Sequence, residues 1–230
     1  MFKTGSTARD RILANVRKSL AVPAGGTDPR EAVVARRIAE HRRHLVPARA
    51  QLPPSELRAQ FASYLIRGKA SVIDVATSDE LPAAFAEYLR AHNLPPTLRL
   101  GSDPRLAALP WPSAPAIELR HGRADPDTDA VTLSYAVAAA AETGTLLLVS
   151  GPDNPVTLSF LPDTHLVVLD AAMLVGAYED AFDLARAHLG AGVMPRTLNL
   201  ISGPSRTADI GGKTVMGAHG PRHLAVFVLG

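Results

Sequence analysis

Apolar residues recur at helical spacing over residues 9–20, at Ile12, Leu13, Val16 and Leu20, and predict an amphipathic helix. Prolines and glycines in VPAGGTDP (22–29) break it. A second helix is expected over 30–45, with Val33, Val34, Ile38 and Leu45 on one side and mostly basic residues elsewhere. VPARAQLPPS (46–55) ends that pattern. Residues 1–50 therefore read as a helical N-terminal arm, and 51–230 as the main domain.

Beyond residue 55 the period alternates between that of helices and that of strands. A helix is expected over 55–67, then a strand at ASVIDVA (70–76). A helix over 78–93 would be capped by Ser78 and striped by Leu81, Phe85, Tyr88 and Leu89. TLRLG (97–101) and PAIELR (115–120) read as strands, and the Pro-rich 104–115 as a loop. DAVTLSYAVAAAAETG (129–144) reads as a short strand running into a small-residue helix. Strands are expected at 145–151, 165–170, 197–203 and 222–230, with a helix at 178–190 stopped by Gly190. The whole predicts an α/β fold, its mostly parallel sheet flanked by helices. Gly101, Gly151-Pro152 and Gly203-Pro204 follow predicted strands, and such loops are expected to converge on a cleft.

Composition removes several chemistries. Twenty-four Lys and Arg against 22 Asp and Glu leave +2, too little to argue for nucleic acid. No apolar run reaches the 18 residues of a membrane span. The opening stretch has no secretory apolar core, so a cytoplasmic protein is expected. The chain contains no cysteine, which excludes disulfides, a thiolate nucleophile and any iron–sulfur cluster held by its own thiolates.

Three stretches carry candidate chemistry. In AETGT (141–145), Glu142 is suited to act as nucleophile or general base, or to accept bonds from nearby backbone N–H groups. Thr143, Gly144 and Thr145 follow it. SGPSRTADI (202–210) looks like a strand-to-helix turn, with Ser202 or Ser205 as cap. Its N–H groups and Arg206 would attract an anion; alternatively Arg206 pairs with Asp209. In GAHGPRHL (217–224), His219 could be an acid, a base or a donor. Gly220-Pro221 keeps His219 and His223 off a continuous helix, so no metal site is expected. His165 opens a strand and is expected to face the same cleft.

AETGTLLLVSG, LPDTHLVVLD and ISGPSRTADI…GAHGPRHLAVFVLG, in that order, closely resemble the lactate utilization protein C family (YkgG-like, LUD domain). ARDRILANVRKSL extends the resemblance to the N-terminus. It implies a fold like the glucosamine-6-phosphate isomerase, ribose-5-phosphate isomerase and CoA-transferase superfamily. It also implies a part in oxidising L-lactate to pyruvate, with iron–sulfur centres on partner proteins and no cofactor on this chain. The shared segments fall on Glu142, Thr143, Gly144 and Thr145, on Ser202, Gly203, Ser205, Arg206 and Asp209, and on His219. Polar residues set in Gly/Pro turns after strands lead to the expectation of a small-anion cleft here, with Arg206 pairing with the anion and Glu142 and His219 as the nearest acid–base groups. By analogy with CoA-transferases, Glu142 would instead serve a stand-alone isomerase or acyl transferase. Relatives often carry a basic residue in 152–159, where this chain has Val156 and Thr157.

Overall fold

The computed structural model describes residues 7–20, 29–208 and 212–230. The chain divides into two units, Met1–His44 and Leu45–Gly230. In the first, α1 (Ala8–Ser19) starts at a capping box between Thr7 and Asp10, and α2 spans Pro29–Glu40. The second helix is shorter than its pattern suggests, since His41 turns to a positive φ of 43°. The apolar stripe Ile12, Leu13, Val16, Val33, Val34 and Ile38 is exposed.

The second unit alternates as expected. Its elements are α3 (Pro54–Arg67), β1 (Ser71–Val75), α4 (Leu81–Ala91), β2 (Thr97–Leu100), α5 (Pro104–Ala107) and β3 (Glu118–His121). There follow β4 (Val131–Tyr135), β5 (Ala138–Ala140), β6 (Thr145–Val149), β7 (Thr164–Asp170) and β8 (Leu174–Val175). The chain closes with α6 (Tyr178–Leu189), β9 (Leu198–Ile201), β10 (Arg206–Thr207), β11 (Val215–Met216) and β12 (His223–Leu229). Six strands form one parallel sheet in the order β1-β12-β7-β4-β2-β3. A second, mixed sheet has the order β8-β5-β6-β9.

Alternation along the central strands explains the layers. Leu133, Leu166, Val168 and Phe227 pack with Phe85 and Leu89 of α4. Their neighbours Val167, Leu169, Val226 and Val228 pack the other way, on Phe61 and Leu65 of α3 and on Leu146 and Leu148 of the second sheet. The opposite face of that sheet, Ala138, Ala140 and Leu147, meets Ala181 and Ala185 of α6.

Three local expectations are corrected. The alanine run after β4 is not a helix: Ala138–Ala140 is strand β5, and Ala136, Ala138, Ala139, Ala140 and Ala141 are all fully buried. Alanine's helix propensity loses here because the run is covered on both sides, where only small side chains fit. Residues 202–208 do not open a helix; Arg206–Thr207 pairs antiparallel with Val215–Met216. Ser78 does not cap α4, because a 3-10 turn, Ser78–Glu80, precedes it and no side chain caps the helix.

Candidate functional site

The strand order places a crevice. From β2 the chain moves outward to the edge strand β3, whereas from β4 it passes through the second sheet and returns inward to β7. The direction of winding thus reverses between neighbours β2 and β4. At such a reversal the connections diverge and leave a gap beyond the carboxyl ends of the strands. A cavity of about 420 Å³ lies there. Asp103 and Arg105 enter it after β2, Tyr135 and Val137 from the end of β4, and Ser150 and Asn154 after β6.

The loops after β2 and β6 interlock at its wall. Ser102 N–H donates to the Pro152 carbonyl at 3.2 Å. A Cβ on Gly101 would stand 2.0 Å from the Asp153 carbonyl oxygen, so glycine is required for this approach. Two of the three glycine turns read from the sequence, Gly101 and Gly151-Pro152, therefore meet here. The third does not. β6 and β9 are antiparallel, with Leu146 opposite Ile201 and Val149 opposite Leu198, so Gly151 and Gly203 leave opposite ends of that sheet.

Arg105 is held in a defined orientation. Asp103 caps α5 by accepting from Arg105 N–H at 2.9 Å. The same carboxylate accepts from Arg105 Nε at 3.0 Å and Nη2 at 2.7 Å. The guanidinium lies 3.8 Å from the centroid of the Tyr135 ring, a cation–π contact. Burial, reinforced by Asp170, pushes the Tyr135 hydroxyl above its ordinary pKa, against the opposing pull of Arg105. Asn154 is 5% exposed; its Nδ2 donates to the Val149 carbonyl at 3.2 Å, and its Oδ1 has no partner. Burial leaves such an acceptor without water.

The residues expected from the sequence lie elsewhere. Glu142, 4% exposed, follows β5. Its Oε1 accepts from Tyr178 N–H at the start of α6 at 3.0 Å, and its Oε2 lies 3.2 Å from Arg49 Nη2. Thr143, Thr145, Tyr178 and Ser202 form a hydroxyl cluster: Thr145 Oγ1 is 2.7 Å from Thr143 Oγ1 and from the Tyr178 hydroxyl, and 2.6 Å from Ser202 Oγ. Gly144, at φ 66°, lets this turn settle on α3, where a Cβ would stand 2.6 Å from Tyr64 Cβ. The two motifs AETGT and SGPSR are thus joined through Thr145 and Ser202.

Ser205 ties the β10–β11 pair to the loop before β12. It donates its N–H to the Pro221 carbonyl, accepts from Gly217 N–H, and receives His219 N–H on Oγ at 3.3 Å. Arg206 and His219 are exposed; Gly203 sits at the turn, and Asp209 lies outside the described residues. His223 N–H bonds to the Asp163 carbonyl where β12 and β7 begin, so this loop borders the amino ends of the parallel strands. His165 does not face a cleft. It is 1% exposed, its Nε2 is 2.9 Å from Ser134 Oγ, and burial lowers its pKa to about 3. No group of three or more His, Asp or Glu among the described residues is arranged to hold a metal.

Sequence reasoning missed Arg105, Tyr135 and Asn154. The available signal was Asp103 before Pro104, a helix start directly after a strand.

A family model described as the LUD domain matches residues 58–229. The lactate utilization protein C of Deinococcus radiodurans is 32% identical over 191 residues, covering 80% of this chain and 84% of that protein. The Bacillus subtilis lactate utilization protein C is 35% identical over 100 residues, 43% of this chain and 42% of that protein. An uncharacterized Neisseria meningitidis protein is 40% identical over 89 residues, 39% of this chain and 37% of that protein. The chain thus spans about two fifths of the length of these last two curated relatives. The crystal structure of a DUF162 family protein from Deinococcus radiodurans superimposes with a TM-score of 0.58 at 23% identity. That match covers 78% of this chain and 99% of the other, and establishes the fold.

Proposed function

Because this chain belongs to the LUD domain family, we propose that it is a subunit of a bacterial L-lactate utilization system. The observation that carries this reading is the Deinococcus radiodurans relative, similar over 80% of the chain and named lactate utilization protein C. Oxidising lactate to pyruvate releases two electrons and two protons, so an electron acceptor is needed. A chain without cysteine cannot hold an iron–sulfur cluster on its own thiolates, and the electrons pass to centres on partner proteins. This chain would contribute assembly contacts and a binding cleft for a small anionic metabolite, in the cytoplasm. No helix among the described residues is long and apolar enough to cross a membrane. The alternative, a stand-alone isomerase or transferase acting through Glu142, gains no support from a carboxylate engaged by Arg49 and Tyr178 N–H.

The test is genetic and biochemical. Deleting the gene should abolish growth on L-lactate while leaving growth on pyruvate, and the tagged chain should co-purify with iron–sulfur proteins. Normal growth of the deletion strain on L-lactate would overturn the reading.

A further inference from the structure

Helices α1 and α2 are 12 residues each, and helices of that length are marginal in water unless one face is packed. Yet α1 buries none of its residues. Ile12 is 62% exposed, Val16 48% and Leu20 53%, and on α2 Val34 and Ile38 are exposed as well. Helical spacing sets Ile12, Val16 and Leu20 in one row and Arg9, Leu13 and Arg17 in the adjoining row. The face that α1 offers is therefore apolar, with a cation on either side of Leu13.

Charge narrows what covers it. Residues 1–50 hold 11 Lys and Arg against four Asp and Glu, a net +7, whereas residues 51–230 hold 13 against 18, a net −5. Two such basic segments repel each other, while the second unit of another copy attracts each of them. The apolar rows also lack the Trp or Phe that commonly seats an amphipathic helix in a lipid interface.

The second unit presents a surface of matching chemistry. A depression of about 300 Å³ opens at the amino ends of β4 and β7, lined by Pro126, Asp127, Leu161 and Asp163. Leu161 is 43% exposed and its neighbour Phe160 45%. Asp127 and Asp163 are exposed and form no ion pair with a described residue. Apolar side chains flanked by unpaired carboxylates thus complement apolar side chains flanked by guanidiniums. This surface lies at the opposite end of the parallel strands from the crevice between β2 and β4, so covering it leaves that crevice accessible.

We propose that two copies of this chain associate by exchanging their N-terminal helices. The apolar row of α1 lies on Phe160 and Leu161 of the other copy, with Arg9 and Arg17 against Asp127 and Asp163. A twofold exchange makes the contact twice in each dimer. One short helix covers little area and the pairing is partly ionic. A dissociation constant of about 10 µM is therefore expected, rising about tenfold or more between about 50 and 500 mM salt.

Sedimentation velocity on the full chain, at about 1 to 200 µM, tests this. The wild-type chain should dimerise. Leu13→Glu should weaken the dimer about tenfold or more. The pair Asp127→Lys and Asp163→Lys should do the same, and it leaves α1 untouched should Leu13→Glu unwind that helix. Arg9→Glu with Arg17→Glu should also give a monomer. Mixing this arm variant with the lysine variant should restore a dimer, because both contacts of the mixed species then pair opposite charges. A wild-type chain that stays monomeric throughout overturns the proposal. So does a dimer unchanged by the lysine pair, or the absence of recovery on mixing. A chain that stays monomeric yet sediments with phosphatidylglycerol vesicles overturns it too, with lipid as the occupant of the apolar face.

Discussion

Arg49 Nη2 lies 3.2 Å from Oε2 of Glu142, and this pair joins the segment before α3 to the turn after β5. Glu142 is buried, while the Arg49 side chain is 54% exposed, so water tempers the attraction from one side. The second oxygen of Glu142 accepts from the first N–H of α6, where the helix dipole favours a negative charge. Glu142→Gln keeps an acceptor for that N–H and removes the charge. It should cost about 1–3 kcal/mol in urea unfolding. A double-mutant cycle with Arg49→Met should show coupling; strict additivity would refute the pairing.

Gly101→Ala should destabilise the fold and disturb the cavity together. The obstacle is the backbone carbonyl of Asp153, which cannot rotate away as a side chain would. Overpacking of this kind costs about 1–3 kcal/mol or more. A midpoint unchanged from wild type in thermal unfolding would contradict the close approach.

Thr145→Val should cost about 0.5–1.5 kcal/mol, because it removes the buried hydroxyl that Thr143, Tyr178 and Ser202 share, while Thr143 Oγ1 and the Tyr178 hydroxyl, 2.8 Å apart, keep each other and Ser202 is exposed to solvent. Thr145→Ser should recover most of that loss. Equal stability of the valine and serine variants would count against the cluster.

His165 makes stability depend on pH. Burial lowers its folded pKa from 6.5 to about 3, so between those values the unfolded chain binds more protons than the folded one. Stability from this group is fully present above about pH 6.5 and declines as pH falls toward 3. Each proton contributes up to about 1.4 kcal/mol per pH unit. Between about pH 6.5 and 5, before most carboxylates titrate, His165→Gln should flatten the dependence measured by denaturant unfolding. An identical slope in the variant would show that His165 is not the group responsible.

Local pattern was enough for much of this protein. Apolar spacing located α3, β1, α4, β2, β6, β7, α6 and β12 to within a few residues, because each buries one face or both against its neighbours. Cysteine content alone excluded a thiolate-held cluster, since that chemistry depends on residue type and not on position. The motifs AETGT and SGPSR marked positions where tight packing restricts residue choice, and Thr145 and Ser202 do meet at 2.6 Å. Their glycines and hydroxyls read equally well as chemistry or as joinery, because both demand small and polar groups at close quarters.

Tertiary structure decided what no local window contains. Ala138–Ala140 became a strand because β6 and β8 pair with it and both faces are covered, a contest that helix propensity loses. Antiparallel pairing of β9 with β6 sent Gly203 away from Gly151. The reversal between β2 and β4 brought Arg105, Tyr135 and Asn154 to one cavity, although Arg105 and Asn154 stand 49 positions apart in the sequence. Strand order is set by long-range pairing, and a site assembled from three different strand ends exists only once that order is made.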